Sequence, residues 1–473
     1  MNKVLSLSMV ATIAISTAQA STTAELEKRI AVLESKLSKT DKKLNKVKTH
    51  DAYDNIKFNM NFRNSYDNIN YKYNKYSYKG EDLSGTEASN DSLLSSRLYL
   101  NMKSSPMDKL IFSGQLAMYG TWGSSHLSHD PALKGWSESS KATDAIVRVR
   151  QAYFVWSDTF GEDGMPYSFS VGRRPSTTGF LGNMRENEPV EGSPLAHITN
   201  MEVDAAMFKL NLEEYMLSGT YVKFVYGRAH SGGMETLYDT SADGYRPYSQ
   251  GEDDLDENVD FFLALGSLYN DGQYNLMFEG ATIFNTKGAR AGIKAGAELP
   301  DGRLNKSLDA GTAYLGALSL KVDGVGDEIN DFLDNTTLFA SVAMTTYSPD
   351  SGHQLLGSTE DETGYSFWVG VNFPDMMTEN GKFGIEYNHG SEYWTPITWA
   401  EDTAIGSKVA VRGDAVEAYW NFNPFGVENL TGQLRYTHIQ HDYTPNVRCA
   451  GWVKPQEVDI EADDIRFFIT YSY

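Results

Sequence analysis

The sequence predicts an all-β protein: a closed, antiparallel, up-and-down transmembrane β-barrel of about 16 strands, preceded by a short periplasmic coiled-coil helix. Three observations lead there: the pattern of the last nine residues, the character of the first twenty, and a regular alternation of long and short connections. In Ile465-Arg-Phe-Phe-Ile-Thr-Tyr-Ser-Tyr473, residues Ile465, Phe467, Ile469, Tyr471 and Tyr473 form one apolar face. Arg466, Thr470 and Ser472 lie between them, with Phe468 as the exception. A two-residue period of this kind is a strand with one oily and one wet face. Its free edge would invite aggregation in water, whereas a closed barrel pairs the edge and puts the apolar face in lipid. Taken alone, the segment fits the last strand of a soluble sandwich equally well.

The N-terminus shifts that balance. Met1-Asn2-Lys3 is a short positive start, residues 4–15 are mostly apolar but too short to span a bilayer, and Ala18-Gln19-Ala20 has the small-x-small cleavage pattern. Residues 1–20 therefore read as a secretory signal peptide. No cysteine follows the cut, which argues against a lipoprotein, and no later stretch has the apolar length of a transmembrane helix. The mean hydropathy is negative although aromatic residues make up 12% of the chain. A barrel wall needs apolar residues only at alternate positions, so the two facts are compatible. The single Cys449 excludes an intramolecular disulfide, and a net charge of −22 makes nucleic acid an improbable partner.

Residues 21–52 differ from all that follows. Ile30, Leu37 and Leu44 fall at a positions and Leu26, Leu33, Thr40 and Val47 at d positions of a heptad, with glutamates early and lysines late. The segment reads as a short parallel coiled coil; a solvated amphipathic helix packed on the barrel is the alternative. Residues 53–473 form the barrel. Ile56, Phe58, Met60 and Phe62 alternate with Lys57, Asn59, Asn61 and Arg63, and comparable alternation recurs about sixteen times. Short joins at 104–109, 157–166, 213–216, 270–272, 323–335, 374–381 and 423–429 interleave with long polar ones. The long ones are 65–92, 124–144, 173–202, 228–258, 285–311, 348–362, 390–413 and 442–461. Outer-membrane barrels have long outside loops and short periplasmic turns, and a Greek key would break this order. Trp156, Tyr215, Tyr269, Trp420 and Phe422 cluster at the short-turn ends, where an aromatic girdle belongs.

The alternation, the signal segment and the coiled coil come together with three motifs: Val149-Arg-Gln-Ala-Tyr-Phe-Val-Trp156, Phe169-Ser-Val-Gly-Arg-Arg-Pro175 and Gly384-Ile-Glu-Tyr-Asn-His-Gly-Ser391. On these the chain resembles bacterial outer-membrane porins, especially the porin-like outer-membrane proteins of epsilon-class proteobacteria. It ends in Tyr473 where porins usually end in Phe or Trp. The resemblance implies a homotrimeric, water-filled channel in the outer membrane of a Gram-negative bacterium, narrowed by an inward-folded third outside loop. It also implies contact with outer-membrane lipid and lipopolysaccharide, and assembly by the barrel-assembly machinery through the C-terminal strand.

Strand parity then assigns functional side chains. Lys57, Arg63, Arg97, Lys103, Arg148, Arg150, Arg435 and Arg466 fall on lumen faces of the first two strands, the fourth and the last two. Because the last strand closes on the first, they form one basic arc. Strict alternation in the fourth strand would also turn Phe154 and Trp156 inward. The third loop, the candidate constriction, carries Arg173, Arg174 and Arg185 with Glu186, Glu188 and Glu191, and Glu279, Glu386 and Glu417 fall on lumen faces. A basic wall opposite an acidic loop would set a transverse field selecting ions and small hydrophilic solutes; the alternative is that inward arginines merely solvate a wide lumen.

The acidic run 251–257 lacks the glycine and closing glutamate of a calcium-binding EF-hand loop and reads as a solvated patch or a divalent bridge to lipopolysaccharide. His126 and His129, and His438 and His441, read as surface residues, so no metal and no cofactor is expected. There is no Gly-x-Ser-x-Gly, His-Glu-x-x-His or phosphate loop, so the chain reads as a non-enzyme. The expected function is passive diffusion with weak cation selectivity, because the three loop glutamates offset the basic arc while the acidic outside loops add a negative mouth. A substrate-selective anion or organic-acid channel is the alternative, ahead of a structural outer-membrane anchor or a barrel hydrolase.

Overall fold

The structure, a computed structural model, describes residues 56–473 apart from 79, 123–145, 162–163, 176–177, 189, 231–257, 301, 303, 307, 327–328, 379, 399–402 and 446–452. The expected signal peptide, coiled coil and acidic run, together with His126, His129 and Cys449, lie outside the described residues. The barrel unit comprises Lys57–Lys103 and Lys109–Tyr473.

Its wall is a closed antiparallel sheet of 16 strands. In chain order they are β1 (Lys57–Lys75), β2 (Thr86–Met107), β3 (Leu110–Thr121), β4 (Arg148–Thr159), β5 (Pro166–Arg174), β6 (Val203–Asn211), β7 (Tyr221–His230) and β8 (Val259–Asn270). The second half is β9 (Tyr274–Arg290), β10 (Leu308–Asp323), β11 (Thr337–Pro349), β12 (Glu362–Pro374), β13 (Lys382–Gly390), β14 (Gly413–Phe422), β15 (Leu430–Tyr443) and β16 (Glu457–Ser472). β1 pairs with β2 on one side and with β16 on the other, in register from Asn61 opposite Ser472 to Tyr73 opposite Ile460, so no edge is left unpaired. Met60 and Tyr473 exchange backbone hydrogen bonds of 2.9 Å in both directions at this seam.

Side chains sort as the two-residue period requires. Phe367, Val369, Ile385, Val416, Leu434, Ile465, Phe467 and Ile469 point outward and are exposed. Trp368, Glu386, Glu417, Arg435 and Arg466 point inward and are buried. Phe468 is inward too, lying under the guanidinium of Arg63 at 4.7 Å. An aromatic at an inward position is thus a platform for a cation rather than a break in the pattern.

The fourth strand resolves its own conflict through a bulge. Gln151 pairs with Gln115 but Val149 pairs with Leu116, so the register slips by one residue at Arg150. Below the slip Phe154 faces outward beside Phe169; above it Arg150 reaches inward, while Arg148 lies opposite the buried Ala117. The expected first long join is shorter than its polar sequence suggests. β1 runs on to Lys75 and β2 begins at Thr86, with Tyr71, Tyr73, Tyr76 and Tyr78 stacking in sequence at 5.4–6.4 Å. Stacking of neighbouring tyrosine rings favours strand where composition alone suggests loop. At the short-connection ends, Phe373, Phe383, Trp420 and Phe422 form a chain of rings, and Trp420 Nε1 donates to Asp375 Oδ2 at 2.7 Å.

Two of the long connections turn into the barrel. The third loop (175–202) and the seventh (391–412) meet there: Thr199–Asn200 pairs in parallel with Ile397–Thr398. Phe180, Leu181, Leu195 and Ile198 of the third loop and Trp394 of the seventh are fully buried. They pack against Met277, Phe339, Leu315 and Trp368, inward residues of β9 to β12.

Candidate channel constriction

Apolar residues hold the third loop against the wall, and a glycine lets it approach itself closely. A Cβ at Gly179 would stand 2.4 Å from the carbonyl oxygen of Pro194, across the Phe180–Leu195 bridge. Beyond this turn the loop is fastened by polar contacts. Leu195 N and Thr199 Oγ1 both donate to the Glu279 carboxylate at 2.6 Å. His197 is fully buried, with Nδ1 2.8 Å from Ser341 Oγ and Nε2 2.8 Å from Ser366 Oγ, and its ring lies between Trp368 and Trp394. This serine–histidine constellation is closed to solvent and serves as a clasp between loop and wall.

The loop tip carries charge to the opposite side of the barrel. Arg63 Nη1 meets Glu186 at 3.2 Å, Arg435 Nη1 meets it at 3.7 Å, and Arg185 Nε at 2.9 Å. Arg185 also approaches Glu417, which accepts from Thr437 Oγ1 at 2.9 Å and lies 3.8 Å from Arg435 Nε. From the seventh loop Lys408 bridges Glu417 and Glu386, and Glu386 accepts from Trp368 Nε1 at 2.9 Å. Arg466 Nε stands 3.4 Å from Asp67. Burial alone would raise the Glu186 carboxyl, but Arg185, Arg63 and Arg435 outweigh it and hold it well below the usual carboxylate range.

These contacts relocate several expected groups. Glu186 does not face the basic wall across water; it touches it. Glu279, Glu386 and Glu417 are inward but buried, each bound to an inward loop rather than presented to solvent. Arg173 and Arg174 are adjacent in β5 and cannot share a face. The inward neighbours are Ser170 and Arg174, whereas Arg173 turns outward to a bidentate pair with Asp204 at 3.0–3.1 Å. Glu191 meets Lys321 Nζ at 3.6 Å, and Glu188 is exposed, accepting from Thr178 Oγ1. Arg97 and Arg150 flank Tyr99 at 4.2 and 4.8 Å, and Arg150 Nε lies 3.4 Å from Glu202. Lys57 and Lys103 pair across β1 and β2, exposed at the short-connection mouth, and Arg148 is also exposed.

Sequence parity did not find His197, Lys408, Trp394 or Arg412, nor the inward Lys209 and Lys223. A signal for the first four exists. An outside loop that stays in water has no use for Trp394, Ile397, Ile405, Val409 and Val411 in one stretch, nor for Phe180, Leu181, Leu195 and Ile198 in another. Apolar residues in a long connection mark it as one that folds inward.

The filling is one-sided. Inward residues of β9 to β15, such as Thr345, Ser366, Asn388, Tyr419 and Gln433, are buried. On β2 to β7 the inward Tyr99, Gln115, Ala117, Ser170 and Ala205 are buried, but Arg97, Arg150, Tyr153, Arg174, Lys209 and Lys223 keep partial exposure. The lumen therefore has a packed half and an open half.

Burial holds the His197 imidazole down to about 3. A histidine with a depressed folded value stabilises the seated loop above its ordinary value and loses that contribution as pH falls toward the depressed one. Seating should weaken from about pH 6.5 downward, by about 3 kcal/mol at pH 4. The expected result is acid-promoted protease cleavage within residues 175–202, with a His197→Gln variant showing no such pH dependence. Equal acid sensitivity in both would refute the assignment.

No curated protein matches the chain. Among solved structures it is similar to the anion-selective porin from Comamonas acidovorans, at 10% identity over 89% of this chain and 99% of that one, with a TM-score of 0.48. OprB of Pseudomonas putida, in its high-pH structure, is 13% identical over 88% of this chain and 94% of that one, with a TM-score of 0.44. OmpT, an outer membrane protein of Vibrio cholerae in trimer form, is 12% identical over 89% and 99%, with a TM-score of 0.43. A family model matches residues 87–468, most of the wall and both inward loops, and the chain belongs to that family, described as "Protein of unknown function (DUF3373)".

Proposed function

We propose that this protein is an outer-membrane channel of a Gram-negative bacterium for passive diffusion of small hydrophilic solutes and ions. The supporting observation is the one-sided lumen: a closed wall, apolar outside, enclosing an open half lined by Arg97, Arg150, Glu188, Lys209 and Lys223. Charged groups that keep water contact inside a closed sheet fit a solvated path better than a sealed core. In this reading the long connections face outward from the cell, the short ones face the periplasm, and the outer wall meets lipid and lipopolysaccharide. Homotrimer formation, and recognition of β16 by the assembly machinery, belong to the same proposal. Purified, refolded protein should give stepwise conductance in planar bilayers. A barrel that folds and inserts but conducts nothing would refute the channel and favour the anchor reading.

A further inference from the structure

β6 and β7 place Lys209 and Lys223 directly opposite each other, both on the inward face. Like charges in opposed positions destabilise an antiparallel pair unless something between them carries the opposite sign. Both ammonium groups lie over one ring, Lys209 Nζ 4.2 Å and Lys223 Nζ 5.2 Å from the centroid of Tyr221. Arg174 reaches toward them along β5, its Nη2 donating to Ser170 Oγ and its guanidinium 4.1 Å over Tyr153, while its buried Nε has no hydrogen-bond partner. Lys223 lies within electrostatic reach of both Lys209 and Arg174.

Among the described residues no carboxylate pairs with Arg174, Lys209 or Lys223. The acid that reaches this corner, Glu191, is engaged by Lys321 at 3.6 Å and by Asn275 at 3.5 Å. The contrast with the packed half is sharp in chemistry. There Arg63, Arg185, Lys408, Arg435 and Arg466 are met by Asp67, Glu186, Glu386 and Glu417. Three cations converge in the open half without such acids, over two aromatic faces and with water contact.

We propose that Arg174, Lys209 and Lys223, with Tyr221 and Tyr153, form a binding site for a small doubly charged oxyanion passing through the open half. This rests on the channel reading and sets its preference toward anions. Of the three loop glutamates behind the expected cation preference, Glu186 is engaged by three arginines and Glu191 by Lys321, while Glu188 stays exposed. Two ammonium groups and a guanidinium give a dianion several charge-assisted hydrogen bonds, where chloride can use only one position well.

The test is equilibrium binding to the full-length protein in detergent, with labelled inorganic phosphate and labelled succinate as separate probes, alongside bilayer conductance. The expected result is saturable binding of at least one probe, and saturable reduction of chloride current by the same probe. Phosphate alone assigns a tetrahedral oxyanion and succinate alone a dicarboxylate. Lys209→Gln with Lys223→Gln should weaken binding by about tenfold or more, with Lys223→Gln alone as the milder variant should the double one fail to fold. No saturable binding of either probe, or unchanged binding in a folded variant, overturns the site. Binding without conductance would instead overturn the channel reading and leave the site standing.

Discussion

Glu417→Ala should unseat both inward loops and raise single-channel conductance. Glu417 is the acid at which the loops meet: Lys408 comes from the seventh, Arg185 from the third, and Arg435 and Thr437 from β15. Removing one member of a buried ion cluster leaves the others desolvated and uncompensated, a loss of about 3–5 kcal/mol. The wall has its own hydrogen bonds across every strand pair, so the effect should fall on the loops first. Glu417→Gln keeps the size and an acceptor for Thr437 but not the charge, and should reproduce most of the change. Conductance, together with protease access to residues 175–202 and 391–412, measures it. Unaltered values for both would show that the loops are held by their apolar contacts alone.

Trp394→Ala should release the seventh loop by an apolar route. Trp394 is fully buried, donates from Nε1 to Val409 O at 2.9 Å, and its own carbonyl accepts from Arg412 Nε at 2.9 Å. It sits where the wall has no side chains: a Cβ on Gly364 would stand 2.3 Å from Trp394 N, and one on Gly390 would stand 2.6 Å from its ring. Truncating a buried tryptophan costs about 3–5 kcal/mol. Gly364→Val should reach the same state from the wall side, by occupying the seat. Loss of seating in the tryptophan variant without loss in Gly364→Val would mean that the cavity matters more than the fit. Retention in both would refute the packing argument.

Much of the wall was legible because a strand in a barrel has two environments and a period of two. Ile465, Phe467, Ile469 and Tyr471 must lie together on one face of a strand, and the alternation of connection lengths orders the strands without any tertiary information. Position along the period also placed Arg63, Arg435 and Arg466 on one inward arc. Parity failed where the chain departs from strict alternation. At β4 the bulge at Arg150 turns Arg148 and Phe154 to opposite faces, and sequence shows no slip there. At β5 adjacent Arg173 and Arg174 were both assigned to the constriction, although neighbours on a strand must part.

The amino-acid sequence by itself determined the closed barrel and the order of its connections, because these follow from local periodicity and from the need to pair every strand edge. The tertiary structure decided which charges meet. Glu186 lies more than a hundred residues from Arg63 and more than two hundred from Arg435, yet touches both. Whether a long connection stays in water or returns to the lumen depends on complementary seats elsewhere: Gly364 under Trp394, and Ser341 and Ser366 around His197. Such seats have no period. They exist only when distant strands stand side by side, and so the division of the lumen into a balanced, packed half and an open half rich in cations is written in the fold rather than in any one segment.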